Sequence, residues 1–438
     1  MAYLPYRDLK TIINGQTTSD KADEYDFFIF GLDAGPEEGP FGKNILTARG
    51  EDWKVRRKHM NPMFHPRNVQ HMVPTFNSNS RELVERMSHH LGNGPFNVLK
   101  YTMDLGLKSI CNLIFGAKVE IDVKTEAFKG LKIFVEEVPE LFIMRIFRPW
   151  LRSSFLLRLF HWNKVKKIGK YWWNFSQAHI QVCHEEQKLK KETSNIKDIN
   201  ELNKKCSSEE NQERINLFDA YSLLQQNYPD FTEADLRSEI VTLYATGTDT
   251  IGTGTASCLL ALAQYQDIQE RLFKEISSVV GPNDDVTLED LSKMPYLDMV
   301  VKETLRWFMI APFILRKPTK DITLSEITVP AGCAIVCNLS AIHMNPKIHP
   351  NPRLFNPERF SPECVSGKEK LAFIPFSVGP RNCIAKTYAI QLMKIEIVHI
   401  LRKFRLFTTQ DIYNMKKKLA VILVATEGYN ISLEKRAS

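Results

Sequence analysis

The residues best equipped for chemistry lie in the run Ile374-Pro-Phe-Ser-Val-Gly-Pro-Arg-Asn-Cys-Ile-Ala-Lys386. Cys383 follows a Gly/Pro turn and precedes apolar residues at Ala389, Ile390, Met393, Ile397 and Leu401, a helical spacing with one buried face. A cysteine at a helix entrance meets backbone N–H groups and the positive end of the helix dipole, both of which favour a thiolate. Gly379 lets the backbone turn tightly. A thiolate so placed reads as the ligand of a haem iron, with Phe376 over the sulfur and Arg381 facing a haem propionate. For Cys383 alone, the plainer alternative is a buried free cysteine beside an ordinary turn. Phe, Gly, Arg and Cys at fixed spacing favour the metal.

Other constellations are weaker one by one. Trp53 and Arg57 stand four apart, so on a helix an indole N–H and a guanidinium share a face and can donate to one carboxylate, such as a haem propionate. A surface stacking pair has the same spacing. Glu303 and Arg306 lie at i, i+3, a common pattern, and a second arginine, Arg359, follows in Leu354-Phe-Asn-Pro-Glu-Arg-Phe360. Phe231-Thr-Glu-Ala-Asp-Leu236 has the form of a helix start, and the apolar helix after it is expected to reach about Val280. Gly247, Gly252 and Gly254 inside that helix each cost about 1 kcal/mol against alanine, so something should compensate. Asp249 and Thr250 stand among them, and a bare Asp-Thr pair in a helix is ordinarily surface decoration.

In order and spacing, Trp-x-x-x-Arg, the Gly-Thr-Asp-Thr helix, Glu-x-x-Arg, Pro-Glu-Arg-Phe and the cysteine loop resemble the cytochrome P-450 haem-thiolate monooxygenases over essentially the whole chain. The resemblance implies haem b with Cys383 as axial ligand. It implies that Trp53, Arg57, Arg316 and Arg381 contact propionates, that Phe376 and Gly379 shape the loop, and that Phe313 to Leu315 line the substrate cavity. Glu303, Arg306 and Arg359 become a buried structural cluster locking the cysteine loop onto the core. Asp249 and Thr250 match the acid/alcohol pair that delivers protons so that O–O cleavage outruns peroxide release. The glycines around them would permit close approach and a local kink over the distal haem face. His343, in Ala-Ile-His-Met-Asn-Pro346, also fits and is not read as a metal ligand.

Three positions depart from the family pattern. Ala385 replaces the glycine that usually follows the cysteine by two residues, adding a methyl where the helix nears the porphyrin. Thr246 stands where fatty-acid ω-hydroxylases often carry a Glu esterified to a haem methyl, so no covalent haem link is expected. Ile251 replaces the usual second Thr or Ser. The Gly-Glu-x-Trp-x-x-x-Arg-Lys and Pro-x-Phe-His blocks look most like the animal branch that contains fatty-acid ω-hydroxylases and insect relatives.

The elements that must position these residues are mostly helical. Helical periodicity dominates to roughly residue 280, then alternation through Ile322 to Val329, a Pro330-Ala-Gly332 turn and Ala334 to Asn338 predict a small β-hairpin region over 321–338. The expected fold is mainly α with a small β subdomain, a single domain over 1–438, with a solvated polar loop at 185–213 and the haem-binding loop at 374–386. The 438 residues are 43% hydrophobic and 25% charged, enough for a large core. Eight cysteines form no Cys-x-x-Cys pair, which favours a reduced, cytosol-facing location.

Net charge is +7 and uneven. From Leu141 to Ile180 there is no acid, while Arg145, Arg148, Arg152, Arg158, Lys164, Lys166, Lys167 and Lys170 alternate with aromatic and aliphatic residues. That composition suits an anionic membrane surface, with core-packed helices bearing solvated basic faces as the alternative. No stretch reaches transmembrane length and no signal peptide opens the chain. Microsomal members of the resembled family begin with an anchor helix, a Pro-rich hinge and the first strands, so the chain is expected to enter that pattern partway.

The leading expectation is therefore a monooxygenase acting on a lipophilic substrate (fatty acid, hormone or xenobiotic). Electrons would come from NADPH through a flavoprotein reductase, with a small haem electron carrier as a further partner, at the cytosolic face of the endoplasmic reticulum. No nucleic-acid partner is expected. A haem-thiolate peroxide isomerase is one alternative, disfavoured by Asp249 and Thr250, and a non-catalytic haem-binding remnant is another.

Overall fold

The computed structural model describes residues 8, 9, 11, 12, 43–116, 137, 141, 144, 145, 148–191, 215–325, 327–366, 370–419 and 422–436. Among these the helices are α1 (Gly50–Met60), α2 (Pro66–Gln70), α3 (Val73–Ser88), α4 (Leu99–Phe115), α5 (Ser154–Lys191), α6 (Leu217–Asn227) and α7 (Glu233–Gln264). They continue as α8 (Gln266–Val279), α9 (Leu288–Ser292), α10 (Pro295–Phe308), α11 (Leu339–His343), α12 (Pro362–Val365) and α13 (Lys386–Lys403). The strands are β1 (Phe96–Asn97), β2 (Phe313–Arg316), β3 (Ile322–Thr323), β4 (Thr328–Val329), β5 (Ile335–Asn338), β6 (Phe404–Phe407), β7 (Lys417–Leu419), β8 (Leu423–Ala425) and β9 (Asn430–Lys435). They form small antiparallel sheets ordered β1-β9-β6, β2-β5, β3-β4 and β7-β8.

The chain separates into two compact units, one of residues 1–19, 72–109 and 248–438, the other of 20–71 and 110–247. In the first, α13 is the core helix: Leu392, Ile395, Ile397, Val398, Ile400 and Leu401 are all buried, against α3, α8 and α10. A second apolar cluster joins β2, β3 and β5 to the start of the cysteine loop through Ile322, Leu324, Ile335, Cys337, Leu339 and Ile374. Ile374 is thus an apolar anchor for the loop that follows. In the second unit α1 packs on α6.

Helix α7 begins with the expected cap. Thr232 N–H donates to the Asp235 carboxylate at 2.9 Å, and the Asp235 N–H returns a bond to the Thr232 hydroxyl at 3.4 Å. It ends earlier than the periodicity predicts. Tyr265 leaves helical geometry (φ −101, ψ 85) and α8 starts afresh at Gln266. The Gln266 and Gln269 amides donate to the carbonyls of Ala263 and Leu262, both at 2.8 Å, and both also reach Leu406 O of β6. Side chains therefore take up the last carbonyls of α7, and a helix end is stable there.

The glycines of α7 permit close approach by neighbouring elements. The helix continues through all three, and the space they leave is occupied by neighbouring elements. A Cβ at Gly252 would fall 2.8 Å from Met103 Cα of α4, one at Gly247 would overlap Ile110, and one at Gly254 would press on Ile310 and Met393. Thr102 Oγ1 donates to Gly252 O at 2.8 Å across the same approach. Close packing compensates for the helix propensity lost. Of the polar tract at 185–213, residues to Lys191 continue α5, and the remainder lies outside the described residues.

Candidate active site

The cysteine loop is built by its own backbone. Ile374 O accepts from Ser377 N at 3.0 Å, Gly379 O from Asn382 N at 3.1 Å, and Phe376 O from Cys383 N at 2.9 Å. Closing so tight a path needs left-handed geometry at Ser377 (φ 58) and Gly379 (φ 78), the latter free of a Cβ penalty. The turn delivers Cys383 two residues ahead of the N-cap of α13, where Ala385 supplies no capping side chain. The free N–H groups and positive dipole end of a helix N-terminus are those that favour a thiolate near by.

Cysteine environments differ sharply. Cys111, Cys258 and Cys337 are buried, and burial pushes their thiols up to about 12, 12 and 11, which keeps them protonated. Cys333, Cys364 and Cys383 are exposed. Of these three, Cys383 alone stands at the entrance of a long helix. Besides the Arg306 and Arg359 guanidiniums, Arg316 on β2 and Arg381 in the loop are buried in the same unit, at 1% and 7% exposure. An accessible thiol at a helix entrance with two buried cations is a donor set that fits an iron porphyrin carrying two carboxylates.

Glu303, Arg306 and Arg359 meet as one cluster. Arg306 grips the Glu303 carboxylate with both prongs of its fork, Nε to Oε2 at 2.7 Å and Nη2 to Oε1 at 2.8 Å, and Arg359 Nε reaches Oε1 at 3.4 Å. Asn356 N–H adds a fourth donor at 2.8 Å. The remaining guanidinium N–H groups go to backbone carbonyls: Arg306 to His343 and Leu354, Arg359 to Pro350, Asn351 and Leu354. Full satisfaction of this kind is what makes a buried ion cluster tolerable.

Asp249 and Thr250 lie half-buried on α7 in the first unit. Thr246, one turn earlier, turns its hydroxyl back on its own helix, donating to Thr242 O at 2.6 Å. Trp53 and Arg57 lie one turn apart on α1, in the second unit, and both are half-buried.

The residue next to Arg57 escaped the sequence reading. Arg56 is buried and bonds Asp52 and Asp235 at 2.9 Å and Glu239 at 3.1 Å, tying α1 to the start of α7. The available signal was an acid pair at i, i+4, Asp235 and Glu239, on an apolar helix, which calls for a buried cation. Glu396 of α13 was missed too. It is buried, its Oε2 accepts from Thr255 Oγ1 at 2.5 Å, and burial pushes its carboxyl up to about 8.

In the basic stretch, Trp150, Phe155, Leu159, Phe160 and Trp162 are exposed, from 44% to 72%. Lys166, Lys167 and Lys170 are exposed beside them. Phe142, Ile146 and Phe147 lie outside the described residues. No helix among the described residues is long and apolar enough to cross a membrane.

Comparison with known sequences places the chain in a family. The sequence model of the family described as Cytochrome P450 matches residues 25–433. The chain is 30% identical over 431 residues to Cytochrome P450 4c21 of Blattella germanica, covering 98% of this chain and 82% of that protein. It is 27% identical over 455 residues to Cytochrome P450 4g1 of Drosophila melanogaster, covering 98% and 79%. Cytochrome P450 4V2 of Homo sapiens is 27% identical over 435 residues, again covering 98% and 79%.

Proposed function

On the premise that this chain belongs to the cytochrome P450 family and is a haem-thiolate monooxygenase of the animal branch numbered 4, we propose that it inserts one oxygen atom from O2 into a lipophilic substrate, a fatty acid being the favoured class, with electrons from NADPH through a flavoprotein reductase. The observation that carries the reading is Cys383, an exposed thiol on a loop closed by its own N–H at the entrance to α13. Bound haem b, not covalently attached, supplies activation of dioxygen at its iron.

The chain's own groups have separable tasks. Cys383 holds the iron as a thiolate, stabilised by the N-terminal end of α13. Arg316 and Arg381 neutralise propionates, and the Trp53 indole with the Arg57 guanidinium offers a carboxylate two donors from one helix face. The Thr250 hydroxyl gives up a proton and the Asp249 carboxylate returns one from solvent, so the pair can act repeatedly. With Thr at 246 there is no carboxylate to esterify a haem methyl.

Replacing Cys383 by Ser is expected to abolish the strongly red-shifted Soret band of the reduced, carbon-monoxide-bound protein. Survival of that band in the variant would remove the assignment. Thr250→Ala should keep haem content while diverting reducing equivalents to hydrogen peroxide. Unchanged coupling of NADPH use to product formation counts against the proton-delivery role.

The same reading assigns the chain to the cytosolic face of the endoplasmic reticulum, where the exposed Trp150, Phe155, Leu159, Phe160 and Trp162 would enter the headgroup region and the neighbouring lysines would attract anionic lipid. Flotation with anionic liposomes checks this: binding weakens with salt, and replacing Trp150, Phe155 and Trp162 by Ser releases the protein. A chain that stays at the bottom of a low-salt gradient overturns it.

A further inference from the structure

Two histidines outside the site described above hold the start of the cysteine loop. His343, the last residue of α11, accepts the Ile374 N–H on its Nε2 at 3.0 Å. His349 Nε2 lies 2.8 Å from Ala372 O, and because a carbonyl only accepts, this nitrogen carries the proton and donates. The two imidazoles therefore grip the backbone on either side of Phe373. The Phe373 ring stacks on His343, with centroids 5.5 Å apart at 26°, and packs on Phe360 at 4.6 Å. Both histidines are buried, at 0% and 2% exposure.

The grip continues to the cysteine. Ile374, held at its N–H by His343, accepts Ser377 N–H at its carbonyl, and Phe376 O accepts Cys383 N–H. In the other direction, the His343 carbonyl accepts from Arg306 Nη1 at 2.9 Å, and Arg306 is fixed by Glu303. His343 thus joins the Glu303 cluster to the loop through its two ends, backbone to the cluster and ring to the loop.

We propose that His343 and His349 are positioning residues for Cys383, transmitting the rigidity of the Glu303, Arg306 and Arg359 cluster to the turn that presents the thiol. The inference rests on the reading of Cys383 as the haem ligand, but its structural half stands apart from that reading. Accepting a bond from Ile374 requires His343 to be neutral with its proton on Nδ1. Burial, then His349 and Arg306, push it down to about 3, in keeping with that state. His349 and Arg306 act on it directly, and α10 and β2, which pack on α11, also carry Asp298, Lys302, Glu303 and Arg316.

Hydrogen exchange on the haem-free chain tests the structural half. His343→Leu should speed exchange at the amides of Ile374, Ser377 and Cys383 by roughly tenfold or more, the loss of one buried hydrogen bond, while α13 amides keep their rates. His343→Gln, which keeps an acceptor near Nε2, should restore most of the protection. In the haem-loaded protein, His343→Leu should convert much of the red-shifted carbon-monoxide band to the blue-shifted form of a displaced ligand, and Gln should recover it. A folded Leu variant with unchanged loop exchange and an unchanged band overturns the proposal. Should His343→Leu fail to fold, His349→Phe, which keeps a ring but removes the donor to Ala372 O, is read by the same criteria. If Cys383→Ser kept the red-shifted band while loop exchange still followed His343, the ligand assignment would fall and the backbone grip would stand.

Discussion

Each unit buries an arginine–carboxylate cluster, and the two use the same groups in opposite proportion. In the first unit one carboxylate, Glu303, serves two guanidiniums, and the surplus N–H groups go to the carbonyls of His343, Pro350, Asn351 and Leu354. In the second, one guanidinium, Arg56, serves three carboxylates, Asp52, Asp235 and Glu239. Surplus guanidinium is readily satisfied because carbonyl oxygens are everywhere in loops, and the result ties several loop segments to one helix. Surplus carboxylate needs donors, and the backbone offers Lys43 N to Asp235 and Ile45 N to Glu239. That is not enough at Glu239, where burial outweighs Arg56 and pushes the carboxyl up to about 7. At Arg56, burial is outweighed by Glu239, Asp52 and Asp235, which raise the guanidinium above its ordinary value. One cluster is built to hold loops, and the other responds to pH.

The largest effect should follow Glu303→Ala, which leaves two buried guanidiniums without their shared carboxylate and should destabilise the fold by about 3–5 kcal/mol in denaturant titrations. A loss below about 1 kcal/mol would mean that the carbonyl bonds alone sustain the cluster. Arg56→Leu is expected to cost about 3 kcal/mol at neutral pH and clearly less near pH 5, where Glu239 holds its proton. Equal losses at both pH values would break the contrast.

The pH responses near the two clusters carry opposite signs. Glu239 has a folded value of about 7 against an ordinary 4.5, so the folded chain binds the extra proton between them. Its contribution is complete below 4.5 and lost as pH rises to 7, so Glu239→Gln should be nearly neutral at acid pH and stabilising by about 1 kcal/mol above pH 7. His343 runs the other way: about 3 when folded against 6.5 ordinarily, so stability is complete above 6.5 and lost as pH falls toward 3. His343→Gln should flatten that acid limb by about 1 kcal/mol between pH 7 and 5, read from melting against pH. Slopes of the same sign for the two variants would refute the assignment of burial as the cause. The smallest change belongs to an exposed pair, Arg81 with Asp285, both half in solvent. Arg81→Ala should shift stability by under about 0.5 kcal/mol, and less in salt.

Much of the site was legible because its signals are local. The Gly379 turn, the helix after Cys383 and the cap at Thr232 depend on residues a few positions apart, and the structure has each as an element, whereas the alternating run from Ile322 to Val329 folds back on itself as β3 and β4, and β5 pairs with β2 instead of with that run. The family resemblance singled out Glu303, Arg306 and Arg359, and they do meet. Their carbonyl partners could not be read, because every residue has a carbonyl and only the fold brings particular ones within reach.

By itself, then, the sequence determined where a thiolate could be presented, which helices carry the polar pairs, and which faces are apolar, since backbone geometry and periodicity are properties of short segments. Only the tertiary structure decided that Arg56 rather than Arg57 is the buried partner of Asp235 and Glu239, since adjacent helical residues point about 100° apart and the neighbour chooses between them. Only packing against α4 at Gly247 and Gly252, and against Ile310 and Met393 at Gly254, explains the glycines of α7. Only β6, whose Leu406 lies 140 residues from Gln266, accounts for the break at Tyr265. The histidine grip on the cysteine loop is of the same kind, because the hydrogen bonds from Ile374 N–H to His343 and from His349 to Ala372 O exist only once the chain has returned to meet itself.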